Sequence, residues 1–194
     1  MNLPNKLTLA RCVMTPVFLA LLLLQFPYHY AAALLVFIIA SLTDLADGKI
    51  ARSRGLVTNL GKFLDPLADK ALTTAAFIGF LAVLPSRSLP WAVFLILARE
   101  FAVTSVRLLA AKDGVVVAAS FAGKMKTVMQ MVSIIYMLAF LQAKNFPVLN
   151  EIPGFVKWGG YFGMLLIWIS VIATVVSGIQ YVWELRKYFK ETTD

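Results

Sequence analysis

Apolar residues run through this chain in six long stretches, near 8–25, 31–54, 60–84, 90–111, 122–143 and 159–185. Short polar or proline-bearing breaks close them: Phe26-Pro27, Arg52-Ser53-Arg54-Gly55 with Thr58-Asn59, Pro85 to Pro90, Lys112-Asp113-Gly114, and Lys144 to Lys157 with Pro147 and Pro153. About 20 apolar residues in a helix cross a bilayer core of ~30 Å. The pattern therefore predicts an all-α, polytopic membrane protein with six transmembrane helices. Ahead of the first stretch, Asn5, Thr8 and Arg11 recur at helical spacing and predict a short N-terminal interfacial helix leading into the membrane. Apolar residues continue through Leu24 without a small-residue cleavage site, which argues against a signal peptide. No internal repeat or low-complexity segment interrupts the pattern.

Composition sharpens this picture. With 194 residues, 60% of them hydrophobic and 14% charged, and a mean hydropathy of +0.82, the chain is too apolar for a soluble domain. A single integral membrane domain over residues 1–194 is expected. The formal charge of +8 does not mark a nucleic-acid binder, because the basic residues sit at the ends of the apolar runs without a stripe of interleaved exposed aromatics. Topology accounts for them better. Lys6, Arg11, Lys49, Arg52, Arg54, Lys62, Lys70, Lys112, Lys124, Lys126, Arg186, Lys187 and Lys190 fall on one side of the predicted membrane, and Arg87, Lys144 and Lys157 on the other. The positive-inside rule then puts both termini and the 52–59 turn in the cytoplasm of a multi-pass cell-membrane protein. Trp158, Trp168, Trp183 and the tyrosines fall mostly near predicted helix ends, as an interfacial belt would have them. Cys12 is the only cysteine, so no intramolecular disulfide forms, and His29, the only histidine, lies apart from the acidic residues.

Charge within the apolar runs is the informative exception. Asp44 and Asp47 are three residues apart at the end of the second run, and Asp65 and Asp69 are four apart at the start of the third. Each pair projects from one helix face, and a hairpin about the 52–59 turn would bring the two faces together. Counting from the turn at ~1.5 Å per residue places the pairs about 15 and 12 Å deep, at similar levels. A carboxylate at mid-membrane costs ~2.5–3.5 kcal/mol even on the lenient scale, so four together need neutralising. Hard oxygen donors with no adjacent His or Cys suit Mg²⁺, Mn²⁺ or Ca²⁺ rather than zinc. The alternative is a salt-bridge cluster with Lys49, Arg52, Lys62 and Lys70.

Two further runs carry polarity. In the fourth, Glu100, Thr104 and Arg107 fall on one helical stripe, with Arg99 about 100° around from Glu100. Intramembrane charges of this kind mark either a functional site or a structural Arg–Glu pair. In the fifth, Gly123, Thr127 and Gln130 form a stripe flanked by Lys124 and Lys126, which read as a phosphate pocket or as ordinary cytoplasmic lysines.

The spacing Asp44-x2-Asp47-Gly48-x2-Ala51-Arg52-x8-Gly61-x3-Asp65-x3-Asp69 resembles the complete signature of the CDP-alcohol phosphotransferases, eight fixed residues over 26 positions. Asn5-Lys6-Leu7-Thr8-Leu9-Ala10-Arg11, Ala98-Arg99-Glu100 and Gly123-Lys124-Met125-Lys126-Thr127 extend the similarity toward the branch whose acceptor is sn-glycerol 3-phosphate. The resemblance implies an integral membrane enzyme that passes a phosphatidyl group from CDP-diacylglycerol to glycerol 3-phosphate and releases CMP. It also implies two divalent cations, Mg²⁺ or Mn²⁺, held by Asp44, Asp47, Asp65 and Asp69, with Asp69 as general base. Spacing alone leaves Asp69 open as a pure metal ligand. Asn5, Thr8, Gly48, Ala51 and Arg52 would line the nucleotide site, and Arg99, Arg107, Lys124 and Lys126 the acceptor pocket. A homodimer is implied, and the run Ala71, Thr73, Thr74, Ala75, Ala76, Gly79, Ala82 offers small residues for close helix contact. Inositol phosphate or another alcohol is the alternative acceptor. An ion-coupled transporter is the remote alternative, but it would carry inverted repeats and spread its acidic residues across the membrane. Here they cluster on one side.

Overall fold

In a bilayer each backbone N–H and C=O must be satisfied within its own segment, and helices do this wherever an apolar run lacks a breaker. The computed structural model describes the backbone of residues 3–54, 59–112 and 121–191, and the side chains of residues 8–43, 70–107 and 121–183. The described residues form seven helices and no strand: α1 (Leu3–Leu23), α2 (His29–Arg54), α3 (Asn59–Val83), α4 (Leu89–Lys112), α5 (Phe121–Lys144), α6 (Pro147–Asn150) and α7 (Phe155–Glu191). Among them, Leu89–Arg107, Phe121–Lys144 and Phe155–Trp183 are long and apolar enough to cross a membrane. Thr8–Leu23, His29–Thr43 and Lys70–Val83 are shorter apolar helical stretches.

The chain divides into two compact units, residues 1–85 with 134–159 and residues 86–133 with 160–194. In the first, α1 packs along both α2 and α3, which scarcely touch each other among the described residues. The sequence predicts α2 and α3 as a hairpin; in the described part, α1 is the helix that holds both. Phe18 and Leu22 of α1 are fully buried, as are Phe37 of α2 and Phe77 and Phe80 of α3, and the Phe18 and Phe37 rings lie 5.7 Å apart. Gly79 makes this approach possible, because a Cβ there would run into Leu22 and sit 3.2 Å from Leu19 Cδ1. The turn into α2 places Tyr28 at φ 64°, a left-handed conformation that costs ~1–2 kcal/mol. Hydrogen bonds offset it. The His29 N–H donates to the Phe26 carbonyl at 3.2 Å, and Gln142 Oε1 accepts the Ala31 N–H at 3.1 Å, satisfying one of the free donors that begin a helix.

In the second unit, α4 packs with the first half of α5 and most of α7 around Ile96, Val103, Ile167 and Val171. A polar seam runs through this core. Gln130 Nε2 donates to Thr174 Oγ1 at 3.1 Å, Thr174 Oγ1 donates to the Ser170 carbonyl at 2.6 Å, and Gln130, Ser133, Ser170, Thr174 and Ser177 are all buried. Exposed surfaces are apolar instead: Trp91, Phe94, Phe101, Ile172 and Ile179 here, and Val13 and Leu35 in the first unit. Lipid rather than water suits such faces.

Four expectations change. The N-terminal segment is not a separate interfacial helix, since α1 is continuous from Leu3 and no Pro or Gly lies between Asn5 and Thr15 to break it. Thr8 and Arg11 of its polar stripe face protein, at only 2% and 4% exposed. Ala75, Ala76 and Gly79 are buried within the chain, so this part of the small-residue run serves the α3–α1 contact rather than a dimer. Helix α7 continues past the predicted end at 185, no breaker following Gly178, and the Lys144–Lys157 stretch holds the single turn α6, opened by Pro147 at its first position.

Candidate functional site

The signature motif occupies the adjoining ends of α2 and α3, with Asp44, Asp47, Gly48, Ala51 and Arg52 in α2 and Gly61, Asp65 and Asp69 in α3. Their helical backbone matches the i,i+3 and i,i+4 spacing read from the sequence. Their side chains lie outside the described residues, as does that of Asn5. Thr8, on α1 of the same unit, is buried.

The second unit places the remaining candidates. Glu100, midway along α4, is 8% exposed, and a carboxylate so enclosed in an apolar span must be paired. Lys126 Nζ of α5, itself 7% exposed, donates directly to Glu100 Oε1. Arg99 Nη1 approaches the same oxygen at 3.4 Å. Arg99 Nη2 donates to Ser177 Oγ of α7 at 2.5 Å, while its Nε is buried without a hydrogen-bond partner. Room for the Arg99 stem comes from Gly178, where a Cβ would lie 2.9 Å from Arg99 Cγ. A cavity of about 440 Å³ opens beside it, lined by Arg99, Val103, Val175, Ile179 and Val182, with the guanidinium as the charged group in an otherwise apolar wall. Arg107, one helical stripe along from Glu100, donates from Nε to Tyr181 Oη at 3.4 Å, and its guanidinium lies 5.4 Å from the centre of that ring. Lys124 is exposed.

Three of the four acceptor-pocket candidates, Arg99, Arg107 and Lys126, therefore carry specific partners. The Arg–Glu pair read from the sequence exists, and it is joined by a lysine that spacing read as flanking the mouth. Ser177 and Tyr181 escaped the sequence reading. Their signal was present, since Ser170, Thr174, Ser177 and Tyr181 repeat at four, three and four residues along an apolar run, one helix face. Tyr181 does not belong to the expected aromatic belt; it is 3% exposed and faces Arg107, whereas Trp158 and Trp183 remain on the surface.

Comparison with known proteins adds an independent line. The family model described as CDP-alcohol phosphatidyltransferase matches residues 1–176. A Bacillus subtilis protein named CDP-diacylglycerol--glycerol-3-phosphate 3-phosphatidyltransferase is 42% identical, the match covering 96% of this chain and 97% of that one. A Rickettsia bellii protein of the same name is 35% identical over 97% of each. A Mycobacterium tuberculosis protein named probable phosphatidylglycerophosphate synthase is 47% identical over 69% of this chain and 64% of its own. Among solved structures, the apo crystal structure of Mycobacterium tuberculosis phosphatidylinositol phosphate synthase aligns with a TM-score of 0.58 at 22% identity, covering 92% of this chain and 88% of that one. At that identity the likeness concerns the fold alone.

Proposed function

Because the chain belongs to the CDP-alcohol phosphatidyltransferase family, we propose that it transfers the phosphatidyl group of CDP-diacylglycerol to sn-glycerol 3-phosphate. The products are phosphatidylglycerophosphate and CMP, and the step belongs to phospholipid biosynthesis. The observation that carries this reading is the near full-length similarity to relatives named for that reaction. The protein is one catalytic domain of the cell membrane. In this reading it has six spans: α4, α5 and α7, which are long and apolar enough to cross a membrane, joined by α1, α2 and α3, whose apolar stretches are shorter. The distribution of Lys and Arg supports a cytoplasmic motif and cytoplasmic termini.

The donor set fits hard divalent cations, since residues 44 to 69 offer four carboxylates and neither His nor Cys. Asp44, Asp47, Asp65 and Asp69 hold them. Two bound Mg²⁺ or Mn²⁺ ions supply charge neutralisation for the pyrophosphate and for the departing CMP. Gly48 and Ala51 present minimal side chains to the nucleotide, Arg52 meets its phosphate, and Asn5 and Thr8 close the nucleotide pocket. A hydroxyl of glycerol 3-phosphate attacks the phosphorus that carries diacylglycerol, Asp69 accepts its proton, and the bond from that phosphorus to the CMP oxygen breaks. Arg107, Lys124 and Lys126, with Arg99, bind the acceptor's phosphate, a task suited to guanidinium and ammonium donors. A homodimer is the working assembly.

The test is CMP release by purified protein supplied with CDP-diacylglycerol and, in parallel, glycerol 3-phosphate, glycerol, serine or inositol phosphate. Glycerol 3-phosphate should be turned over fastest. Equal rates with glycerol would remove the phosphate pocket, and faster turnover with inositol phosphate would reassign the acceptor.

A further inference from the structure

A lysine is a poor fixed binding group. Its ammonium is a point charge on a four-carbon stem with many rotamers, so a site that depends on one must hold it. Lys126 is held. Its Nζ donates to Glu100 Oε1 across two helices, and both residues are buried. The same carboxylate oxygen is approached by Arg99 Nη1 at 3.4 Å. Arg107 receives a different brace, from Tyr181 Oη and its ring. Lys126, buried, and Arg107, exposed, thus each have a specific partner, one anionic and one neutral.

We infer that Glu100 is a positioning residue for the acceptor: its carboxylate fixes the Lys126 ammonium in the geometry that receives the acceptor's phosphate. This rests on the reading that Lys126 binds that phosphate, and it assigns to an acidic residue a role in anion binding. The sign makes it testable. If Glu100 were only a nearby negative charge, its removal would relieve repulsion and lower the acceptor KM. If it positions Lys126, its removal frees the ammonium and raises the acceptor KM, since misplacement of a binding group by about 1 Å suffices for losses up to ~100-fold.

The experiment is a double-mutant cycle on the purified full-length enzyme with Glu100→Gln, Lys126→Met and the pair, reading KM for glycerol 3-phosphate, KM for CDP-diacylglycerol, and kcat. Glu100→Gln should raise the acceptor KM on the order of tenfold while the CDP-diacylglycerol KM stays within about twofold. The double variant should be no worse than Lys126→Met alone, because Glu100 acts through that lysine. Glu100→Asp, which keeps the charge one methylene short, should fall between wild type and Gln. An acceptor KM that is unchanged or lower in Glu100→Gln overturns the inference while leaving the phosphate pocket standing, provided Lys126→Met still raises it. An unchanged acceptor KM in Lys126→Met instead overturns the pocket itself. If Glu100→Gln and Glu100→Asp both lose CDP-diacylglycerol binding along with acceptor binding, Glu100 is a structural residue and the inference falls.

Discussion

Thr174→Val is the most informative structural perturbation of the second unit, because it keeps the shape of a fully buried side chain and deletes one hydroxyl. That hydroxyl accepts from Gln130 Nε2 at 3.1 Å and donates to the Ser170 carbonyl at 2.6 Å. The carbonyl retains its helical N–H partner, so its loss is minor. Gln130, 3% exposed, is left with a buried donor stripped of its α7 partner. In water-soluble proteins such an orphan costs ~1–3 kcal/mol. Interhelical hydrogen bonds in membranes measure less, averaging ~0.6 and reaching ~1.7 kcal/mol. The membrane figure governs here, and with full burial of both partners we expect ~1–1.5 kcal/mol for Thr174→Val. For a chain of this size that is a fall in Tm of about 2–6 °C. Gln130→Leu should cost no more than Thr174→Val, and the double variant should cost less than the two singles combined, with a coupling of ~0.6–1.5 kcal/mol. Thermal unfolding of the four proteins in one detergent or bicelle, followed by intrinsic tryptophan fluorescence, gives all the required differences. Additive effects within ~0.3 kcal/mol would mean that the α5–α7 hydrogen bond contributes nothing and that the seam is held by packing alone.

Asp44→Asn, Asp47→Asn and Asp65→Asn should each weaken metal binding and lower turnover, with partial recovery at raised Mg²⁺ or Mn²⁺ for at least one; near-wild-type rates in all three at ordinary metal concentration would restore the salt-bridge reading of the cluster. Asp69→Asn should reduce kcat far more than CDP-diacylglycerol binding, because a base acts in the transition state. A parallel loss of both would make Asp69 chiefly a ligand. Gly79→Val should destabilise the first unit by ~1–3 kcal/mol, since the added side chain meets Leu22 and Leu19 on α1; an unchanged Tm would show that α1 and α3 do not pack through this face.

The apolar helices were legible because lipid favours long unbroken helices, and the breaks at Pro27 and Pro85 are chemically plain. The acidic motif was legible for the opposite reason: charge inside an apolar run is costly, so Asp44 to Asp69 stand out against their surroundings. Less visible were features that depend on which helix lies alongside which. Ala76 and Gly79 announce a close helix contact but not its partner, which is α1. Lys126 and Glu100 are 26 residues apart in sequence, and only the packing of α4 and α5 pairs them. Ser170, Thr174, Ser177 and Tyr181 form a periodic face, yet they are diluted within the apolar stretch Phe155–Trp183, where hydropathy averages over all faces of the helix. Tyr181 near a helix end reads as an interfacial anchor until Arg107 is found over its ring.

The most direct measurement is the transfer of isotopically labelled glycerol 3-phosphate into organic-extractable lipid by the purified protein. Wild type should form labelled phosphatidylglycerophosphate only with CDP-diacylglycerol and a divalent cation both present, with one CMP released per lipid formed, and Asp65→Asn should form the product more slowly at ordinary metal concentration. Labelled lipid formed at the wild-type rate by Asp65→Asn, or none formed by wild type under any divalent cation, would contradict the account.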